Sequence, residues 1–399
     1  MQDAIAANAR SEPEFAALVE ALCADPARRD QLSELLRESH PVYDGRGTAA
    51  IVRMRGWVLL ALARGEVPDA ALIFVLEELD AGVDAYLVAA AARALRSYPR
   101  PTEALAPFVM RALTNLRYRD ELVSFESYGE YTVSSAGTSP VRELLTTLAW
   151  LGPHSRGILH ELESFSAQSG GLSRKSRIDV DRALHAIRSS DQADKPGTDS
   201  CCGTPSNGAK STSSWKPNFR RDSEPVESVT LQDQDCELIT FKEFFKGQPS
   251  IVVFFYTRCD NPMKCSLTVT KLARVQKLLE AQGLADQIRT AAITYDPAFD
   301  LAERLRIYGQ DRGVCMGAHH RMLRVTDDND ALRRHFELGV NFVASLVNRH
   351  RIEAYILDAG GRVAMCFERI HWDEQQLVDR AIEVLSEQHL DLLAQPSRR

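Results

Sequence analysis

The stretch IVVFFYTRCDNPMKC, Ile251 to Cys265, decides the fold of the C-terminal half of the chain. Its first six residues form an unbroken apolar, β-branched and aromatic run, which predicts a strand buried on both faces. Asn261 is a good N-cap and Pro262 a good first helical residue, so we expect a helix to begin there. Cys259 then lies in the loop after the strand, and Cys265 lies in the first turn of the helix.

The positions of these two cysteines indicate chemistry rather than packing. Free cysteine is a common core residue, and that interpretation suits Cys236 and Cys366, which lie in strand-like surroundings. It suits Cys259 and Cys265 poorly, because polar loop residues separate them. Strand, cysteine loop and helix in this order are typical of the active-site corner of a thioredoxin-like fold. The positive end of the helix stabilises a thiolate in its first turn, so we expect Cys265 to be the more acidic thiol.

Length and composition predict a soluble protein of two ordinary domains. The chain has 399 residues and a net charge of −7, which gives no reason to expect nucleic acid as a partner. Its first 20 residues show no basic start followed by an apolar core, and no run of 18 apolar residues predicts a membrane span. We therefore expect a cytoplasmic protein, in which close cysteine pairs are more often catalytic or metal-binding than structural.

Residues 1–190 read as helices with short breaks and predict an all-α domain. Arg53–Ala63 and Leu87–Arg96 look alike at an offset of 33 residues. Small-residue-rich helices repeated at this scale are typical of an α-solenoid, and Asp84–Leu95 resembles a HEAT repeat. An ordinary helical bundle is the alternative interpretation. A HEAT-like scaffold would dock a protein partner.

Composition predicts a linker over residues 191–225 and a second domain over residues 226–399. The linker is rich in Ser, Gly and Pro and contains Cys201-Cys202, which either supply accessory thiols to a metal or to disulfide exchange, or are incidental. In the second domain, strands alternate with helices and a late hairpin follows, which predicts an α/β fold with a mixed sheet covered on both faces. Val229–Leu238 is expected to form one of its strands.

Several of these elements together resemble the Sco/SenC family of thioredoxin-like copper proteins. The family has a strand, a Cys-x-x-x-Cys pair, a helix, a strand ending in Asp-Pro, and a histidine shortly before a Tyr-containing strand. Here the cysteines are Cys259 and Cys265, Asp296 precedes a proline, and His350 lies five residues before Tyr355. The resemblance covers residues 226–390. The cysteine spacing is Cys-x5-Cys, two residues longer than the family's, which costs about half a kcal/mol in loop closure.

The resemblance implies copper bound by Cys259, Cys265 and His350, with Asp296 orienting either the histidine or the cysteine loop. The residues alone indicate something compatible. Two thiolates and an imidazole make a soft site of low coordination number, which suits Cu(I), or Zn(II) if a fourth ligand arrives. The function that follows is a copper-binding protein that delivers copper, or reduces thiols, for a partner docked on the helical domain.

Two other functions are compatible with the same residues. The first is a thiol–disulfide oxidoreductase or peroxiredoxin-like enzyme that uses Cys259 and Cys265 without a metal. The second is a binding module in which no redox cycle operates. His350 discriminates copper binding from disulfide exchange, since exchange does not need it. A second cluster, Cys315 with His319-His320, is more simply interpreted as part of a polar loop.

The predicted linker makes the two domains separable. We expect mild proteolysis of the full chain to cut between residues 190 and 225 and to leave two resistant fragments, because exposed Ser/Gly/Pro segments are preferred cleavage sites. Mass spectrometry of the fragments checks this. Protection of the segment throughout the digest would contradict the boundary.

Overall fold

A computed structural model describes the chain over residues 11–126, 137–168, 170–189, 215–216, 221–344 and 346–394. The chain divides into two compact units, Met1–Thr212 and Ser213–Arg399. Among the described residues, no helix combines the length and the apolar character needed to cross a membrane. Cys201 and Cys202 lie outside the described residues.

The described secondary structure of the first unit is helical, as predicted, apart from one antiparallel bridge between Val123 and Thr138. Its α-helices are α1 (Glu12–Ala24), α2 (Gln31–Glu34), α3 (Thr48–Ala63), α4 (Asp69–Ala81), α5 (Ala85–Leu95), α6 (Ala106–Asn115), α7 (Pro140–Leu151), α8 (Leu159–Ala167) and α9 (Arg174–Ser189).

The helices of the first unit pack in two alternating rows. Helices α1, α3, α5, α7 and α9 follow one another in contact, and so do α2, α4, α6 and α8. The close approach of α3 and α5 depends on small residues: Ala89, Ala91 and Ala92 are fully buried, and a Cβ on Gly56 would overlap the Tyr86 ring. Alternating rows are typical of stacked helical repeats. The assignment of the repeat to the HEAT type stays a prediction.

The second unit is an α/β domain. Its strands are β1 (Trp215–Lys216), β2 (Thr230–Asp233), β3 (Leu238–Thr240), β4 (Ser250–Phe255), β5 (Arg289–Thr294), β6 (His320–Val325), β7 (Val340–Val343), β8 (Leu346–His350), β9 (Glu353–Leu357) and β10 (Val363–Glu368). Its helices are α10 (Phe241–Phe245), α11 (Leu267–Ala281), α12 (Ala302–Asp311), α13 (Asn329–Phe336) and α14 (Glu374–Ala394).

Strand β4 lies in the middle of a mixed sheet with the order β1-β10-β9-β4-β5-β6-β2-β3. It pairs parallel with β5 and antiparallel with β9, and all six of its residues are buried, as the apolar run predicts. Helix α11 contacts β4 and β5 and packs on α14. The central strand, the cysteine turn and the following helix make this a thioredoxin-like fold. Strands β7 and β8 form a separate hairpin.

The structure differs from the sequence expectations at the start of this domain. Val229–Leu238 is not one strand, because the chain reverses between β2 and β3. The Asp233 carboxylate accepts hydrogen bonds from the backbone N–H groups of Asp235 and Glu237, which closes the turn. Cys236 in this turn has a φ of 67° and is exposed, so its interpretation as a core residue was wrong. Cys366 is buried as expected.

The C-terminal part of the segment predicted as a linker also belongs to the second unit. Strand β1 pairs antiparallel with β10, and Arg221 forms a bridge with Val363. Backbone pairing overrides composition here, since a sheet edge accepts a strand of almost any sequence.

Next to the sheet, a buried ion pair fixes the chain around β8 and β9. The Glu353 carboxylate accepts hydrogen bonds from Arg351 Nε, from the Tyr295 hydroxyl at 2.7 Å and from the Gly339 backbone N–H at 2.7 Å. Glu353 is fully buried and Arg351 nearly so. Glu368 lies 3.1 Å from Arg351 as a second anion. Every charged group of this cluster therefore has a partner.

We expect Glu353→Gln to lower the free energy of unfolding of the second unit by about 3 kcal/mol, because breaking a buried ion pair leaves its partner charge uncompensated. Native-state hydrogen exchange of the β4 and β9 amides measures this unit without interference from the first. The matched control is Glu383→Gln, which removes an exposed pair with Arg380 and should cost under about 1 kcal/mol. Equal losses in the two variants would show that Glu353 is unimportant.

Candidate metal centre

Three side chains meet at the end of β4. The sulfurs of Cys259 and Cys265 and a ring nitrogen of His350 all lie within 4.8 Å of one another. His350 Nε2 is 3.5 Å from Cys259 Sγ and 3.4 Å from Cys265 Sγ. Among the described residues, this is the only group of three His, Cys, Asp or Glu side chains close enough together to hold a metal ion. The cysteines and histidine singled out in the sequence therefore converge.

The His350 ring is oriented by its own backbone neighbourhood. Its Nδ1 lies 3.0 Å from the carbonyl oxygen of Arg351. A carbonyl only accepts hydrogen bonds, so Nδ1 carries the proton and Nε2 presents its lone pair to the two sulfurs. The Tyr256 ring meets the imidazole edge-on at 5.4 Å, and the Tyr295 ring lies at the same centroid distance. His350 is 5% exposed, so solvent barely reaches its ring.

The cysteine turn is built by the Asn-Pro pair, as the sequence predicts. The Asn261 side chain accepts a hydrogen bond from the Met263 N–H at 2.9 Å, and Pro262 follows at the first position. The first turn, Pro262–Ser266, is wound as a π-helix before α11 continues it. Cys265 lies in this wider turn and is 1% exposed, whereas Cys259 in the preceding loop is only partly buried.

The relative acidity of the two thiols is the reverse of the sequence prediction. Burial strongly raises the pKa of the Cys265 thiol, and the neighbouring Cys259 raises it further. The hydrogen bond from the Cys265 thiol lowers the pKa of Cys259 well below that of a free cysteine, against the effect of burial, and the charge of a protonated His350 acts in the same direction. The prediction was wrong because a helix end contributes at most about 2 kcal/mol, whereas full burial can shift a pKa by about 3–5 units.

The loops after β4 and β5 are tied together by two aspartates. The Asp300 carboxylate accepts hydrogen bonds from the Thr257 N–H at 3.0 Å, from the Thr257 hydroxyl, and from the Thr294 hydroxyl at 2.5 Å. Asp296 forms an ion pair with Arg258, the residue before Cys259. The sequence left open whether Asp296 orients His350 or the cysteine loop, and the structure shows the contact with the cysteine loop. The Nδ1 atom of His350 is held by the Arg351 carbonyl instead.

The second cluster singled out in the sequence does not form a site. Cys315 is exposed, and its backbone N–H donates to the Gln276 side chain. His320 begins strand β6, its Nδ1 lies 3.0 Å from the Thr290 hydroxyl, and burial lowers its pKa. His319 lies beside Asp286 at 3.9 Å. The polar-loop interpretation missed strand β6, which begins at His320.

Sequence reasoning missed Lys264, which lies between the two cysteines. Its side chain is 8% exposed, and its ammonium donates a hydrogen bond of 2.7 Å to the carbonyl oxygen of His350. Lysine is almost never buried without a partner, so composition gives no reason to place it inside. Its position immediately before Cys265 was the available signal.

The family comparison agrees with this geometry. The family model for SCO1/SenC matches residues 220–386. The C-terminal domain belongs to the SCO1/SenC family. No curated protein matches the chain.

Solved structures similar to this SCO1/SenC domain come from bacteria, plants and yeast. The SCO1/SenC family lipoprotein of Bacillus anthracis is 18% identical, with a TM-score of 0.36, and the match covers 42% of this chain and 99% of that one. Copper-bound ScoI of Arabidopsis thaliana is 20% identical, with a TM-score of 0.33, over 40% of this chain and 96% of that one. Copper-bound yeast Sco1 is 23% identical, with a TM-score of 0.31, over 40% of this chain and 90% of that one.

The opposite pKa shifts of the two cysteines predict different pH profiles of alkylation. In Cys265→Ser, the retained Cys259 keeps His350 and a hydroxyl donor, so it should react with iodoacetamide at clearly lower pH than Cys265 does in Cys259→Ser. Mass spectrometry of each single-cysteine variant of this pair, from pH 4 to 10, measures the two midpoints. If Cys265 reacts at the lower pH, helix-end stabilisation exceeds the cost of burial and the assignment made here is wrong.

Proposed function

We propose that the SCO1/SenC domain binds copper through Cys259 Sγ, Cys265 Sγ and His350 Nε2, and that it delivers copper, or reduces thiols, for a protein partner docked on the helical unit. The observation that carries the proposal is the convergence of these three donors in a domain of this family. Copper supplies a soft, redox-active centre that two thiolates and one imidazole hold well. The residues of the chain supply the donors, their orientation and their shielding from water.

The donor distances fit a metal without large rearrangement. With bond lengths of about 2.3 Å to sulfur and 2.0 Å to nitrogen, the values for zinc, a bound ion separates the two donors by about 3.5–3.7 Å at tetrahedral or trigonal angles. The observed nitrogen–sulfur separations are 3.5 and 3.4 Å. The two-residue extension of the cysteine spacing therefore leaves the donors within reach of one ion.

The donor set favours Cu(I) over other ions. Thiolate ligands select Cu(I) or zinc, and zinc requires a fourth ligand in its usual tetrahedral sites. No fourth His, Cys, Asp or Glu completes the group among the residues that the structure describes. Three soft donors in a buried pocket match the low coordination number of Cu(I). The oxidation state is thus part of the proposal, as is the partner; the cytoplasmic location stays a prediction from the sequence.

A thiol–disulfide oxidoreductase is the alternative that the structure also supports with a specific observation. The pKa of Cys259 is lowered and this cysteine is the more accessible of the pair. A thiolate at ambient pH next to a buried resolving thiol is the arrangement that disulfide exchange needs. Copper binding and exchange make different demands on His350, because exchange does not require its Nε2 lone pair.

Metal analysis after anaerobic purification separates the two functions. We expect the full chain to bind about one Cu(I) per molecule, and Cys259→Ser, Cys265→Ser and His350→Ala each to lose affinity by at least about a hundredfold, since each removes one of three ligands. Competition with a chromophoric Cu(I) chelator measures the affinity. The matched controls are Cys315→Ser and His319→Ala, which remove exposed or peripheral donors of the same types.

Two results would contradict the copper proposal. One is a full chain that holds no Cu(I) against the chelator. The other is a His350→Ala variant with unchanged affinity while its reactivity with a disulfide substrate is retained. The second result would favour the oxidoreductase.

A further inference from the structure

A short segment after β10 is held next to the metal centre. It comprises residues 369–373, between the end of β10 and the start of α14, and we call it the connecting segment. At its start, the Arg369 backbone N–H donates a hydrogen bond of 2.8 Å to the carbonyl oxygen of Ile352, two residues after His350. At its end, the Asp373 carboxylate accepts a backbone hydrogen bond of 2.9 Å from the first turn of α14. Both ends of the connecting segment are therefore fixed.

His371, in the middle of the connecting segment, contacts the cysteine turn. Its Nε2 atom lies 2.5 Å from the carbonyl oxygen of Met263, two residues before Cys265. A carbonyl oxygen only accepts hydrogen bonds, so Nε2 carries the proton and donates it to this bond. The next residue, Trp372, is 3% exposed, and its ring lies 5.3 Å from the Lys271 ammonium on α11. The segment that starts beside the histidine ligand therefore also binds the turn that carries the buried thiol.

The hydrogen bond from His371 reaches a turn with an uncommon winding. The turn Pro262–Ser266 is π-helical, and the Leu267 N–H closes it on the Pro262 carbonyl. Such turns are rare and occur mostly as single turns within α-helices. A side chain that inserts into the hydrogen-bond ladder of a helix is one of the known causes of a local change in its course. The His371 donor therefore stabilises the winding that Cys265 depends on for its position.

The position of Cys265 matters because metal ligands tolerate little displacement. Its Sγ lies 3.4 Å from His350 Nε2. A constellation of ligands has to be held within about 0.5 Å of its working geometry by the residues around it. Cys265 and His350 lie on different elements of the fold, so their separation depends on contacts that join those elements. The connecting segment makes contacts of this kind on both sides.

We propose that His371 is a positioning residue of the copper centre, because its hydrogen bond to the Met263 carbonyl holds the cysteine turn at the distance from His350 that one metal ion requires. This inference rests on the proposed copper function and deepens it. It assigns a role to a histidine outside the donor group of Cys259, Cys265 and His350.

Three substitutions separate the hydrogen bond from the volume of the ring. His371→Gln places an amide N–H at the reach of Nε2, His371→Asn carries the same amide one methylene shorter, and His371→Phe keeps a ring without a donor. We expect the Cu(I) affinity of the full chain to fall by about tenfold in the Asn and Phe variants, as is typical when a group that orients a ligand is lost, and to stay within about threefold in the Gln variant. Competition with a chromophoric Cu(I) chelator measures the affinities.

Hydrogen exchange of the metal-free full chain detects the same contact without copper. In His371→Asn and His371→Phe, the amides of the cysteine turn should exchange about threefold to tenfold faster, the effect of losing one hydrogen bond. The amides of β4 should keep their rates, because a local opening leaves the core of the domain intact. In His371→Gln, both sets should keep their rates.

The matched control is Glu374→Gln. Glu374 pairs with Lys271 and Arg274 on α11, so this variant weakens another contact next to the connecting segment and leaves the bond from His371 in place. Its Cu(I) affinity should stay at that of the unmodified chain. Circular dichroism checks that each variant is folded, and His371→Asn decides the matter if His371→Phe does not fold.

The outcomes separate the inference from the function on which it rests. Lower affinity and faster exchange of the cysteine turn in the Asn and Phe variants, with both properties retained in the Gln variant, support the positioning role. Unchanged affinity in the Asn variant, or an equal loss in the Gln or the Glu374→Gln variant, overturns it while the copper function stands. A full chain that holds no Cu(I) against the chelator overturns the proposed function and this inference together.

Discussion

The centre depends on the hydrogen bond between His350 Nδ1 and the Arg351 carbonyl. This bond sets the tautomer, and the tautomer determines whether Nε2 offers a lone pair or a proton to the two sulfurs. The carbonyl is itself held in place, because the Arg351 guanidinium is bound by the buried Glu353. Glu353 is fixed in turn by Tyr295, whose ring also packs on the imidazole. The ligand geometry therefore rests on a chain of buried polar contacts that reaches into the sheet.

A buried network of polar contacts is stable only when each of its groups has a hydrogen-bond partner. In a low-dielectric interior each satisfied hydrogen bond is stronger than in water, and each unsatisfied group is correspondingly costly. In the cluster around Glu353, the carboxylate and the Arg351 guanidinium both have hydrogen-bond partners. These contacts hold the end of β8 in one position. Two nitrogen–sulfur separations that are already within a few tenths of an ångström of metal-binding distances follow from that rigidity. Little ordering of the protein remains for the moment of binding, so more of the ligand energy appears as affinity.

The parts of the structure that were predictable from sequence are those governed by local patterns. The apolar run predicted the buried strand β4, and Asn261-Pro262 predicted the start of the following helical turn; the structure confirms both. Strand β6 escaped notice because His320 and Arg321 open it with polar residues. The reversal between β2 and β3 depends on hydrogen bonds from one carboxylate, that of Asp233. Neither feature has a periodicity that could reveal it.

The candidate site was predictable in its members but not in its electrostatics. The family pattern identified His350 from its distance to Tyr355, and the loop chemistry identified the cysteines. Burial is a property of the assembled fold, so the acidity of Cys265 could not be read from its place in a helix. The same holds for Lys264, whose burial contradicts the general behaviour of lysine.

The longer cysteine spacing affects the structure of the cysteine turn. Two additional residues cost little in loop closure, about half a kcal/mol, and the π-wound turn from Pro262 to Ser266 absorbs extra backbone without moving Cys265 away from Cys259. One of the five residues between the cysteines, Lys264, donates a hydrogen bond of 2.7 Å to the His350 carbonyl. The longer turn therefore keeps the three donors together and is itself tied to the strand that carries the histidine.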